Sequence, residues 1–338
     1  MIKGEGGDPT RKQSLDTPLS PAHVEVASAN IDGVPSRRLM LVFKGLKGCS
    51  HALDGAGCTY CGFGKREINQ GGVVDPEVVT GQFFQAVKKH DFEKEGIQEL
   101  DLYMAGSFLS DEEMPPVARE SILRESGAIP GLKQVLIESR PEFITGESVA
   151  GAKEMLGDKK LSVGMGLESA DDYLRETVLN KGFSKVDYEK AVGVLAKGGV
   201  DVLTYVLLKP TTMEEVAAIQ DVVNTVRYIK EVSDKCGIND GVISLSPTFV
   251  PAGTKLFKEF EMGKYQPPTL WSLVEALKQI HNLSVIRVGL SEEGLACKGG
   301  VAKNCGKCDD MVKTALEEFN RTQNIGVFDG LDCDCRKK

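Results

Sequence analysis

Apolar residues fall into short, nearly continuous runs separated by longer stretches of helical period. Six such runs stand out: Arg38–Lys44, Glu99–Met104, Gln134–Glu138, Leu161–Glu168, Asp201–Leu208 and Gly241–Ser246. Their lengths and β-branched content predict strands. The first intervening helix is signposted: Asp75 is its predicted N-cap and Pro76 its first residue. Val78, Val79, Phe83, Phe84 and Val87 then share one broad face. Further helices are predicted over about 115–126, 145–156, 171–178, 185–197 and 213–232. Near-continuous strands alternating with helices argue for an α/β fold with a parallel sheet. Six βα units are two short of a complete eightfold barrel. After the sixth run the pattern changes. Tyr265-Gln-Pro-Pro268 breaks the chain, and residues 269–280 form an amphipathic helix whose Trp271 is expected in the core. The expected organisation is a flexible leader over 1–34, a core over 35–250 and a C-terminal extension over 251–338.

Composition narrows the class. The chain has 338 residues and a net charge of −8. No apolar run reaches membrane-spanning length, and the polar N-terminus lacks the apolar segment of a signal peptide. A cytoplasmic protein with no membrane partner is expected. The acidic balance does not favour indiscriminate polyanion binding. A local basic face could still arise from Lys255, Lys258, Lys264, Lys278 and Arg287, although such residues more often form a solvated helix face. Nine cysteines, an odd number, fall mainly in two groups. In a cytosolic protein such groups read as metal ligands rather than disulfides.

The first group is Cys49, Cys58 and Cys61, in a glycine-bearing loop after the first strand. Three thiolates leave one iron of a four-iron cluster open to a ligand that is not protein. A zinc site completed by a distant cysteine or by His51 is the alternative. The second group comprises Cys297, Cys305, Cys308, Cys333 and Cys335. The two-residue gap of Cys305 and Cys308 is that of a metal knuckle. Its ion could be structural zinc or a second iron–sulfur cluster, with reduced thiols as the plain alternative. A zinc clasp would tie the helix 309–319 and the chain end back onto the domain. In parallel α/β folds chemistry gathers at the C-terminal ends of strands. Gly106 and Ser107, Glu138 and Arg140, and Glu168 fall there. Each charge, taken singly, could also be a solvated loop residue.

The three-cysteine loop resembles that of the radical S-adenosylmethionine (SAM) superfamily. Glu138-Ser-Arg-Pro-Glu142, Gly166-Leu-Glu-Ser169 with Asn180-Lys-Gly182, and Val250-Pro-Ala-Gly-Thr254 resemble its Elp3/MiaB-like group. Gly57-Cys-Thr-Tyr-Cys-Gly62, Asn304-Cys-Gly-Lys-Cys-Asp309 and Gly330-Leu-Asp-Cys-Asp-Cys335 are similar to the branch of that group that forms archaeosine in tRNA. The stretch Cys49-Ser-His-Ala-Leu-Asp54 departs from that branch in lacking its aromatic residues.

The resemblance implies a partial (β/α)6 barrel. It also implies a [4Fe–4S] cluster on Cys49, Cys58 and Cys61 that cleaves SAM to a 5′-deoxyadenosyl radical. Tyr60, Gly106, Ser107, Glu138, Glu168 and Lys181 would contact SAM, and Arg140 would face the substrate or brace its loop through Glu142. The implied substrate is a lysine-conjugated 7-deazaguanine in tRNA, whose carbon–nitrogen bond is broken. Implied partners are tRNA, a lysine-transferring enzyme of the ArcS kind and a low-potential electron donor. A small-molecule or peptide substrate is the competing reading, and a zinc-stabilised binding module without catalysis is a third.

Overall fold

Alternation decides which way each strand faces. Glu99, Asp101 and Tyr103 share one face of their strand, and Leu100 and Leu102 share the other. The leucines pack under the helices, and the polar face turns inward to meet arginines from other strands. The computed structural model describes residues 19–55, 57–63, 74–239, 241–292 and 294–337. Residues 1–18 of the expected leader, and Gly64, Gly71 and Gly72 beyond the cysteine loop, lie outside the described residues.

The strands form one sheet in chain order: β1 (His23–Ile31), β2 (Val34–Val42), β3 (Ile97–Tyr103), β4 (Gln134–Glu138), β5 (Lys160–Glu168), β6 (Asp201–Leu208), β7 (Val242–Pro247) and β8 (Val285–Val288). The pair β1–β2 is antiparallel and every later neighbour is parallel. The sheet curls into a nearly closed barrel. Around it lie α1 (Pro76–Val87), α2 (Pro116–Gly127), α3 (Gly146–Leu156), α4 (Lys185–Gly198) and α5 (Glu215–Cys236). The later chain adds α6 (Lys255–Glu261), α7 (Leu270–Ile280) and α8 (Asp309–Thr322). Asp75 caps α1 as predicted, accepting from the Glu77 amide. On that helix Phe84 is 41% exposed, and the buried face runs through Val79, Phe83 and Ala86 instead. Among the described residues no helix is long and apolar enough to cross a membrane.

The six expected strands are β2 to β7, and two more join them. Strand β1 occupies part of the expected leader. Its signal was present: Asp32-Gly33 between alternating residues is a two-residue hairpin turn, and both have positive φ, 52° and 79°. Strand β8 falls within the expected C-terminal extension, and its four residues were too few to read as a strand. The extension thus contributes to the barrel: β8 pairs with β7, and α8 packs against β1, β2, β8 and α7.

Helix α8 closes the seam between the two sheet ends. Val312, Ala315, Leu316 and Phe319 make its buried stripe. Its side-chain amides pair with the free edge of β8. Asn320 accepts from the Val288 amide at 2.7 Å and donates to the Val288 carbonyl at 2.9 Å. Gln323 does the same at Ile286, at 3.0 and 2.9 Å. Across the seam, Asn30 of β1 donates to the Arg321 carbonyl. The exposed edge of a strand is thereby satisfied without another strand.

Inside the barrel, Arg38 pairs with Asp101, and Arg287 of β8 reaches Glu99 of β3 at 2.8 Å. All four are buried. Arg287, expected on a basic surface, instead lies in the barrel because the alternation of β8 turns it inward. A cavity of about 280 Å³ at the N-terminal ends of the strands borders this layer; Glu99, Asp201 and Arg287 are among the residues lining it. Burial pushes the Glu99 carboxyl up to about 7, with Arg287 opposing. The folded chain therefore holds this proton to higher pH than the unfolded chain, in which the group titrates near 4.5. Stability is expected to fall as pH rises through that window. Denaturant midpoints between pH 5 and 8 should show this decline, and Glu99→Gln should flatten it.

Candidate active site

The cysteine loop lies at the C-terminal end of the barrel and is fastened from three sides. On the first side the fastener is Glu113, a fully buried carboxylate. Its Oε1 accepts from the Ser50 amide at 2.8 Å and the Ser50 hydroxyl at 2.6 Å. Its Oε2 accepts from the Ser107 amide. One side chain thus joins the loop at Ser50 to the turn after β3. Gly106 permits this: its φ is +144°, and a Cβ there would sit 2.4 Å from Glu113 Oε2. Glu113 was not anticipated, because in sequence it is one of three consecutive acids, Asp111-Glu-Glu113. Only the folded loop shows that it is buried.

The second fastening comes from the turn after β5. The Thr59 amide and hydroxyl donate to the Leu179 and Val178 carbonyls, each at 3.0 Å. Asn180 donates to the Gly57 carbonyl at 2.7 Å, and the His51 ring bonds the Asn180 carbonyl at 2.7 Å. The third comes from the start of α6, where the Lys255 and Leu256 amides donate to the Thr59 carbonyl.

Tyr60, half-buried, and the buried Glu168 and Lys181 form a triangle beside the loop. The Tyr60 hydroxyl donates to Glu168 Oε1 at 2.7 Å. Lys181 donates to the same oxygen at 3.0 Å and to the Tyr60 hydroxyl at 3.2 Å. The Lys181 ammonium therefore has a carboxylate partner within the chain. Glu168 sits in the left-handed region, φ +65°, a strained conformation for a side-chain-bearing residue. A Cβ on Gly166 would lie 2.4 Å from Glu168 Oε1 and 2.9 Å from Lys181 Nζ. Glycine is thus required for the pair to occupy this place.

Electrostatics follow from these contacts. Burial pushes the Cys49 thiol up. Burial acts the same way on Cys58, but Lys181 and His51 outweigh it and hold that thiol below its ordinary value. Burial, reinforced by Glu168, raises the Tyr60 phenol well above its usual range. Burial opposes the charge on Lys181, yet Glu168 and Cys58 hold its ammonium above the ordinary lysine value.

The remaining expected residues divide. Glu138 ends β4, and the Phe108 amide donates to its carbonyl at 2.8 Å. The Arg140 guanidinium is spent on protein acceptors: Glu142 at 2.6 Å, the Lys181 carbonyl at 2.8 Å and the Gly182 carbonyl at 3.5 Å. It also lies 5.4 Å from the Phe183 ring centroid. These contacts brace the loop.

Among the described residues, one set of metal-ligand atoms lies within 4.8 Å of one another: Cys305, Cys308, Cys333 and Cys335. Cys297, expected as a fifth ligand there, does not join them. Ala296 bridges Pro251, and the Cys297 amide donates to the Val250 carbonyl at 2.8 Å. That pairing pins Cys297 to the barrel mouth, against the cluster of Val250, Leu256 and Tyr265.

Glu113→Ala would strip acceptors from the buried Ser107 amide and the half-buried Ser50 amide at once. A loss of about 2–4 kcal/mol in unfolding free energy is expected, measured by denaturant titration.

No protein-family model matches the chain. It is 30% identical over 331 residues to the archaeosine synthase subunit beta of Methanosarcina acetivorans, covering 96% of this chain and 92% of that protein. The protein of the same name from Thermococcus kodakarensis is 27% identical over 314 residues, 91% of this chain and 92% of its own. Among solved structures, Streptococcus suis SuiB bound to S-adenosylmethionine shares the fold, with a TM-score of 0.51 over 80% of this chain at 11% identity. This chain spans 58% of the length of that SuiB chain. With a relative this similar over nearly its whole length, the chain belongs to the archaeosine synthase subunit beta family.

Proposed function

We propose that the chain cleaves SAM reductively at a [4Fe–4S] cluster held by Cys49, Cys58 and Cys61, and that the reaction modifies tRNA. The proposed outcome is carbon–nitrogen cleavage in a lysine-conjugated 7-deazaguanine, leaving the formamidine of archaeosine. The observation that carries this reading is convergence. The three-thiol loop, the Gly106–Ser107 turn and the Tyr60–Glu168–Lys181 triangle meet at one end of a parallel barrel, and Glu113 couples the first two. The donor set fits the cluster: Cys49, Cys58 and Cys61 give three thiol ligands for three of its irons. When bound, the cluster and SAM would supply the electron and the radical.

The chain's own residues would bind and orient. The Gly106 turn has no side chain in the way of an approaching ammonium group, so backbone carbonyls there can accept from it. Glu138 and Glu168 would accept from the ammonium or ribose hydroxyls of SAM, with Ser107 and Tyr60 lining the same place. Lys181 would hold Glu168 in position through their ion pair. Arg140 acts as a positioning residue, holding the 181–182 carbonyls against the β4 end. The names of the relatives support tRNA chemistry, and their designation as beta subunits supports a partner. We assign that partner to the lysine-transferring, ArcS-like enzyme, with a low-potential donor supplying electrons and the cytoplasm as the setting. The quartet in the tail is a separate metal centre that takes no part in this chemistry.

Anaerobically reconstituted protein should carry about four irons per chain at the loop and release 5′-deoxyadenosine when reduced with SAM. Cys58→Ser should abolish that release while leaving the fold intact by circular dichroism. Turnover with tRNA bearing the lysine conjugate, followed by nucleoside analysis, tests the substrate. Formation of archaeosine supports the reading. SAM cleavage without any tRNA product, together with no tRNA binding even at low salt, would instead favour a small-molecule or peptide substrate.

A further inference from the structure

The tail thiols meet at a spot that the barrel mouth does not use. Their Sγ atoms are 3.9 Å apart for Cys305 and Cys308, 3.7 Å for Cys305 and Cys333, and 3.6 Å for Cys308 and Cys335. A tetrahedral ion with metal–sulfur bonds of about 2.3 Å sets its four sulfurs about 3.8 Å apart. The thiolates of a four-iron cluster bind separate irons and stand wider. Four thiolates at tetrahedral spacing select a soft divalent ion. We infer that the quartet binds a single zinc ion, and that this ion bolts α8 into the seam between β1 and β8.

The connection between the quartet and the seam is short. Cys308 immediately precedes α8, and Asp309, its first residue, accepts from the Asn304 and Gly306 amides. The Asn304 side chain donates toward Cys308 Sγ at 3.4 Å and accepts from the Trp271 amide of α7. From the other arm, Arg336 bonds Glu275 of α7 and lies 5.1 Å from the Trp271 ring centroid. One ion on these sulfurs therefore ties the start of α8 to the chain end, with both arms seated on α7. The far end of the same helix carries Asn320 and Gln323, which satisfy the β8 edge. The residual space there is a cavity of about 10 Å³ lined by Ala29, Ile286, Asn320 and Gln323, among others. The helix is thus fixed at one end by the metal and caps the barrel edge with the other.

Metal content and amide exchange test both halves. In protein with Cys49, Cys58 and Cys61 all changed to serine, about one zinc per chain should remain and iron should fall to background. Iron held by the tail, or no metal at all, overturns the assignment. Cys308→Ser and Cys335→Ser should each lose the zinc, and the Ile286 and Val288 amides should then exchange about tenfold faster or more. Zinc loss with unchanged exchange overturns the bolt. If these variants do not fold, the triple-serine protein stripped with a strong chelator gives the same comparison. Asn320→Leu combined with Gln323→Leu should speed exchange at the same two amides while zinc is retained. Unchanged exchange in that double variant overturns the seam role of α8.

Discussion

The barrel depends on a charge layer that it could not expose. Arg38, Asp101, Glu99 and Arg287 are buried together, two arginines with two carboxyl groups. They come from β2, β3 and β8, so the layer spans the barrel interior rather than running along one strand pair. Removing one member of such a set strands a charge in a low-dielectric interior, at a cost of about 3–5 kcal/mol. The short strand β8 gains much of its placement from this layer: Arg287 holds it from inside, and the amides of Asn320 and Gln323 hold its edge from outside.

With the barrel fixed, its C-terminal end becomes a platform for the cysteine loop. The cysteine loop contributes little regular structure, one helical turn over Ser50–Leu53. Its shape is imposed from outside by Glu113, Asn180 and the start of α6. Strain is concentrated there too. Glu168 is left-handed, as is Asn180, and both are held by bonds to the loop they support. Such conformations persist where the surroundings over-determine them. Here they place a carboxylate, an ammonium and a phenol in one triangle next to two of the three thiols, Cys58 and Cys61.

The elements differ in how legible they were. Strands β2 to β7 could be read because each is a run of apolar residues bounded by turn signals, and the helices between them carry a buried stripe. The Asp32-Gly33 hairpin was equally local, but it lay beside a polar N-terminus and was absorbed into an expected leader. The strand-end residues Gly106, Ser107, Glu138, Arg140 and Glu168 could be placed from topology, since parallel strands deliver their ends to one side. Their partners could not. That Lys181 belongs to Glu168, that Arg140 serves carbonyls 41 and 42 residues away, and that Glu113 is buried are facts of chain crossing.

The sequence alone determined the periodicities, the cysteine spacings and the family resemblance, because these are properties of neighbouring residues along one chain. It therefore carried the parallel α/β architecture, the three-thiol loop and a second metal-ligand group in the tail. Only the tertiary structure decided which thiols share one point in space. It separated Cys297, held by Val250, from the quartet that includes Cys333 and Cys335. It turned Arg287 from an expected surface cation into a buried partner of Glu99, and it made α8 the cover of an open seam. The reason is the same throughout: sequence spacing constrains what lies within a turn or a strand, whereas distances across the barrel are set by packing and charge pairing among elements far apart in the chain.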